Sequence, residues 1–264
     1  MKQQLKHLIR SSGSPQLYEL ARSIYRATAD RCLAVSRVVK ALLTNDLTVL
    51  AKMYGSDKWG SHRYAPHYQW HFKNLRKKRL KILEIGVGGY QDPNSGGASL
   101  RMWKTYFPNS SIYSLDIYDK ATIEEDRIKI FRGSQNDPDF LRDVVRQMGG
   151  LDIVIDDGSH VNEHVITSFR TLFPLLVDGG IYAIEDTQTS YWPKLGGDSY
   201  DLNNPNTTMT FVKSLTDGLN YEEIARKDYR PSYLDQNIVS LHFYHNLVFI
   251  CKGRNNEGSN YVPY

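Results

Sequence analysis

Cysteine is scarce: Cys32 and Cys251 are the two in 264 residues, far apart and outside any metal-ligand spacing. That excludes a disulfide framework or a zinc ribbon and predicts two small hydrophobes in a reducing compartment. No stretch is apolar for the length a bilayer requires, so no membrane span is expected. The basic start, residues 1–13, lacks the apolar core and cleavage site of a signal peptide, and a cytoplasmic protein is predicted. Internal repeats and low-complexity tracts are absent as well. His67 and His71 are four apart without the H-E-x-x-H pattern, and they are read as structural.

An excess of charge of one sign is also missing from most of the chain. Residues 1–45 hold eight Lys or Arg against Glu19 and Asp30, which leaves −2 for the rest of a chain whose formal net charge is +4. The remaining dense basic run, residues 73–81, reads as a solvated helix end, so nucleic acid is not expected as a partner. With 41% hydrophobic and 23% charged residues, the chain suits one large α/β domain with an appendage. The appendage is residues 1–45. Leu17, Leu20, Ile24, Val35, Val38 and Leu42 recur at helical spacing there, which predicts amphipathic helices that pack on the domain or join copies into a homo-oligomer.

What is present begins with the stretch L-D-I-V-I-D-D-G-S-H at residues 151–160. Ile153 to Ile155 suit a strand buried on both faces, which stops at Asp156, Asp157 and the turn glycine Gly158. The next apolar run, residues 180–184, stops in the same way at Glu185 and Asp186. In open α/β sheets ligands bind beyond the carboxyl ends of the strands, so two neighbouring strands would deliver several oxygen ligands to one rim. Asp157, Glu185 and Asp186 form a hard donor set that favours Mg²⁺ over softer ions. His160 is the residue type suited to taking a hydroxyl proton near neutral pH. The competing reading makes Asp157-Gly158-Ser159 a helix-capping turn and His160 a solvent-facing residue.

The other motifs give the rim a cofactor. Residues 81–89, K-I-L-E-I-G-V-G-G, read as a strand entering a glycine turn, where Gly86 and Gly88 would let a ligand approach the backbone. A second strand at 112–115 ends in Asp116, the place where a doubly wound fold holds ribose hydroxyls. Position 91 is Gln rather than the third glycine of a dinucleotide site, and Glu84 precedes the turn. Strands are further expected at 128–132, 238–243 and 247–252, the last two as a hairpin. The loop 54–72, dense in His and aromatics, places Asp57, Lys58, His62 and Tyr64 as candidates for the site; the competing reading makes Asp57 and Lys58 a surface pair. Residues 188–231 read as a lid over an acceptor.

The pattern E-x-G-x-G resembles the first motif of class I S-adenosylmethionine-dependent methyltransferases. Together, Y-G-S-D-K-W-G-S-H, L-E-I-G-V-G, D-I-V-I-D-D-G-S-H and I-E-D-T resemble the metal-dependent sugar O-methyltransferases that modify macrolides, over residues 50–191. The resemblance implies a Rossmann-like fold, a seven-stranded mostly parallel sheet with an antiparallel last strand and helices on both faces, over residues 46–264. It implies S-adenosylmethionine held by Glu84, Gly86, Gly88, Asp116, Gln135, Asp137 and Asp156, Mg²⁺ on Asp157, Glu185 and Asp186, and His160 as base beside Asp157. The implied acceptor is a sugar hydroxyl on a small molecule or glycan. A cofactor-binding module without catalysis, a cephalosporin-hydroxylase-like enzyme and a nicotinamide oxidoreductase are the alternatives.

Overall fold

The computed structural model describes residues 44–260. The amphipathic helices expected over residues 15–43, and any oligomer contact through them, lie outside the described residues. In chain order the elements are α1 (Leu47–Tyr54), α2 (Ala65–Phe72), β1 (Lys81–Ile85), α3 (Ala98–Tyr106), β2 (Ser111–Asp116), β3 (Ile128–Arg132) and α4 (Pro138–Met148). They continue with β4 (Ile153–Asp156), α5 (Asn162–Leu172), β5 (Ile181–Glu185), α6 (Thr208–Gly218), α7 (Tyr233–Asn237), β6 (Ile238–Tyr244) and β7 (Leu247–Lys252).

The seven strands form one sheet in the order β3-β2-β1-β4-β5-β7-β6, with β1 to β5 parallel and β7 antiparallel to both neighbours. The expected final hairpin is therefore present, and Asn246 turns it with a φ of 60°, a conformation its short polar side chain tolerates. Strand residues alternate between two cores, as a period of two requires. Ile82, Ile153, Ile155, Ala183 and Phe249 face the layer of α1, α2 and α3. Leu83, Ile85, Val154, Tyr182, Ile184 and Val248 face α4, α5 and α6.

Local chemistry fixes the ends of the helices. Asp46 caps α1 by accepting from the backbone N–H groups of Thr48 and Val49, and Gly55 ends it at a φ of 67°. Pro66 stands in the first turn of α2, where a missing N–H costs nothing. The structure divides the stretch expected as a lid. Its first part stays at the rim as short 3₁₀ turns, Thr187–Tyr191 and Pro193–Leu195, while α6 buries Phe211, Val212 and Leu215 against the sheet layer, with Phe211 edge-on to Phe169 at 5.4 Å. The strand order reverses direction between β1 and β4, which places their carboxyl ends, and that of β5 beside them, around one crevice.

Candidate active site

Three carboxylates converge where β1, β4 and β5 end, and the side chain among them is a lysine. Lys58, in the loop between α1 and α2, is fully buried, and its Nζ lies 2.8 Å from Asp157 Oδ2, 2.8 Å from Glu185 Oε1 and 3.1 Å from Glu84 Oε1. The loop closes around it because the Lys58 carbonyl accepts from the N–H groups of Tyr64 and Ala65 at the start of α2. Burial works against the ammonium, but Asp157, Glu185 and Glu84 outweigh it and push its pKa well up, so Lys58 stays charged. The surface pairing of Asp57 with Lys58 is thus corrected for Lys58: its stem reaches inward to acids on three strands, a partnership that local sequence does not reveal.

Glu84 is the innermost acid. Its Oε2 accepts from Ser99 Oγ at 2.9 Å on α3, and burial, offset by Lys58, pushes its pKa to about 6. Glu185 accepts from Tyr68 Oη at 2.6 Å, and burial together with the charge of Asp157 raises its pKa well above the carboxylate range. Both contacts of Glu185 fall on Oε1, from Tyr68 Oη and Lys58 Nζ.

Asp186 leaves β5 at a φ of 54° and so turns back over the rim. Its Oδ1 accepts from Tyr64 Oη at 2.7 Å, and the same hydroxyl lies 3.2 Å from the Asn246 carbonyl in the β6–β7 turn. Burial would raise the Asp186 pKa, but the bond from Tyr64 and the imidazoles of His160 and His62 hold it low. His160, also at positive φ, brings Nε2 to 3.5 Å from Asp186 Oδ2 and 3.8 Å from Asp157 Oδ1. Asp157, His160 and Asp186 each offer a ligand atom, and the three atoms lie within 4.8 Å of one another. The reading of His160 as a solvent-facing residue does not describe this geometry, although Ser159 does bond the Val161 N–H at the entrance to α5.

The remaining predicted residues divide. Gly88 has a φ of 75° and open space where a side chain would stand, and Asp116 ends β2 half-buried at the same rim. Asp116 also ties down the glycine loop by accepting from the N–H groups of Val87 at 3.0 Å and Tyr118 at 2.9 Å. Gly86 is needed for another reason than the one expected: a Cβ there would stand 2.3 Å from the Asp157 carbonyl, so the glycine lets β1 and β4 close together. Where the sequence places Gln135, Asp137 and Asp156 at the cofactor, the structure employs them in the frame. Gln135 accepts from the Ser159 N–H at 2.6 Å and donates to Asp156 Oδ1 at 3.2 Å. Asp156 also accepts from Tyr182 Oη at 3.1 Å, and Asp137 caps α4. The side chains of Gln135 and Asp156 turn inward to buried partners, whereas that of Asp137 stays exposed and caps the first N–H groups of the helix.

Tyr68 escaped the sequence reading. The signal was the Tyr64–Tyr68 spacing of four, which puts both hydroxyls on one face of α2, toward β5. His67 and His71 are structural with respect to this rim: His67 stacks on Tyr244 at 3.8 Å, and His71 on Phe249 at 4.0 Å.

A scan against protein-family models finds no match. Among characterised proteins, the chain is 49% identical over 215 residues to mycinamicin VI 2''-O-methyltransferase of Micromonospora griseorubida, covering 81% of this chain and 54% of that protein. It is 43% identical over 267 residues to 8-demethyl-8-alpha-L-rhamnosyl tetracenomycin-C 2'-O-methyltransferase of Streptomyces olivaceus, covering 90% of this chain and 70% of that one. The chain belongs to the sugar O-methyltransferase family of natural-product pathways. The fold of this family member also matches that of a solved relative, the MycE methyltransferase of the mycinamycin biosynthetic pathway in complex with Mg, SAH and mycinamycin VI. That match has a TM-score of 0.79 at 48% identity and covers 83% of this chain and 56% of the relative. The family member spans about half the length of the first two characterised relatives it matches.

Proposed function

We infer that this chain is a Mg²⁺-dependent O-methyltransferase that moves the methyl group of S-adenosylmethionine to a sugar hydroxyl of a glycosylated small molecule. The observation that carries the reading is the meeting of Asp157, His160 and Asp186 at the ends of adjacent strands, with Glu185 beside them. Hard oxygen donors crowded around a single ammonium suit a divalent cation, because each carboxylate otherwise raises the cost of ionising its neighbours. Asp157, Glu185 and Asp186 are the residues that would hold it. When bound, Mg²⁺ would lower the pKa of a hydroxyl at the rim.

The chain's own groups supply the rest. His160 Nε2 takes the proton of the acceptor hydroxyl, and the carboxylates of Asp157 and Asp186 on either side stabilise the imidazolium so formed. Tyr64 fixes the carboxylate that orients His160. At the cofactor side, Gly88 and Asp116 stand at the ends of β1 and β2, where S-adenosylmethionine would present its methyl group, and the buried Glu84 braces the wall behind them through Ser99 and Lys58. Tyr191, Trp192 and Tyr200, exposed in the segment after Asp186, offer flat faces to a sugar. Among the described residues no helix is long and apolar enough to cross a membrane. The same reading puts the protein in the cytoplasm, where Cys251 stays outside any disulfide.

His160→Gln tests the base. Turnover is expected to fall by about 10² to 10⁴, the usual contribution of a positioned general base, while calorimetric affinity for S-adenosylmethionine stays within about twofold. Turnover within about threefold of wild type removes His160 from that role.

A further inference from the structure

A second donor cluster lies on the face of the sheet covered by α2, and its chemistry is the opposite of the rim's. His71 stands on the last turn of α2, His242 on β6 and Cys251 on β7, and one ligand atom of each lies within 4.8 Å of the other two. The sheet register explains the meeting. Ser240 pairs with Cys251 and His242 with Phe249, so His242 and Cys251 are diagonal neighbours on one face, and His71 lies over them.

Each donor is held. His71 stacks on Phe249 at 4.0 Å, shares a hydrogen bond with Tyr244 Oη at 3.2 Å, and meets the His242 ring edge-on at 4.7 Å. His242 Nε2 bonds Ser240 Oγ at 3.1 Å, and the same serine bonds the Cys251 thiol. Hydroxyl partners of this kind orient imidazole and thiolate ligands in metal sites. In sequence the three residues are separated by 171 and 9 positions, by difference of their numbers, so no ligand spacing betrays them.

We propose that His71, His242 and Cys251 form a site for a thiophilic divalent cation, Zn²⁺, distinct from the Mg²⁺ site at the rim. Two nitrogens and one sulfur are a borderline-soft set that Mg²⁺ does not compete for. Zinc bonds of about 2.0–2.1 Å to nitrogen and 2.3 Å to sulfur put these tetrahedral ligand atoms about 3.3 to 3.6 Å apart, so side-chain shifts of about 1 Å close the site. Three protein ligands leave the fourth position to water. On binding, the Cys251 thiol gives its proton to the buffer and its sulfur bonds the ion as thiolate.

The ion would tie α2 to the β6–β7 hairpin. Those two elements carry Tyr64 and Asn246, whose bond backs Asp186 at the rim. The site therefore braces the wall behind the catalytic acids without touching them.

The experiment is a Co²⁺ titration of the full chain in saturating Mg²⁺, read by absorption. One equivalent is expected to produce a thiolate-to-cobalt band in the near ultraviolet and tetrahedral bands in the visible, all removed by Zn²⁺. Cys251→Ser loses the near-ultraviolet band, His242→Ala weakens binding at least about tenfold, and Cys32→Ser keeps both signals. Should Cys251→Ser not fold, His71→Phe, which retains the ring on Phe249, reads the same loss of affinity. Absence of a saturable thiolate band, or a band that survives Cys251→Ser or is lost in Cys32→Ser, overturns the proposal.

Discussion

Lys58 is a cation with no exposed surface, and its three partners stand at or just beyond the ends of three different strands. Removing one member of a buried charged cluster leaves the others uncompensated in a low dielectric, which costs more than the pair itself contributes. Lys58→Met is therefore expected to lower unfolding free energy by about 3 to 5 kcal/mol, read by urea denaturation. A loss under about 1 kcal/mol contradicts the charge-balancing role. Asp156 makes the complementary statement about pH. Burial pushes its carboxyl up to about 7 against the bonds from Tyr182 and Gln135 that favour the anion. The unfolded chain releases this proton near pH 4, whereas the folded protein keeps it to about 7. The contribution of Asp156 to stability is therefore full below about pH 4 and falls as pH rises through that window, by at most about 1.4 kcal/mol per unit. In metal-free protein, Asp156→Asn should gain stability relative to wild type between pH 5 and pH 8. A difference that stays constant across that range sinks this assignment.

At the scale of elements, α2 does more than cover the sheet. Phe72 and Tyr68 pack among Trp103 and Phe249, while the Tyr64 and Tyr68 hydroxyls reach Asp186 and Glu185. Tyr68→Phe keeps the ring and removes the bond to a buried acid, and about 1 to 3 kcal/mol of stability should go with it. An unchanged chemical-denaturation midpoint contradicts that. The strand ends were legible in the sequence because a β-branched run that stops at an acidic pair and a glycine leaves few alternatives, as at Asp156-Asp157-Gly158. The role of α2 was not, since nothing local tells Tyr68 which acid it will meet 117 residues later. Gln135 and Asp137 show a related limit: their place after β3 is legible, but the groups their side chains bond are not. The stretch around α6 reads as a lid on composition, but the apolar spacing of Phe211, Val212 and Leu215 within it turns that helix onto the sheet.

At the scale of the molecule, the sheet order brings the ends of β1, β4 and β5 together and leaves the two cores on opposite faces. The antiparallel β7 was the feature that separated this sheet from an all-parallel dinucleotide fold, and the hairpin pattern announced it. Cys251 shows what sequence spacing hides, because the fold sets it beside two histidines that no linear motif joins to it. The central claim is that the acidic rim with His160 performs metal-dependent methyl transfer to a sugar hydroxyl. The most direct measurement is transfer of labelled methyl from S-adenosylmethionine to a panel of macrolide and polyketide glycosides, with Mg²⁺ and with EDTA. Label is expected on the sugar with Mg²⁺, lost in EDTA and restored by added Mg²⁺; equal transfer in EDTA, or none to any glycoside, would contradict the account.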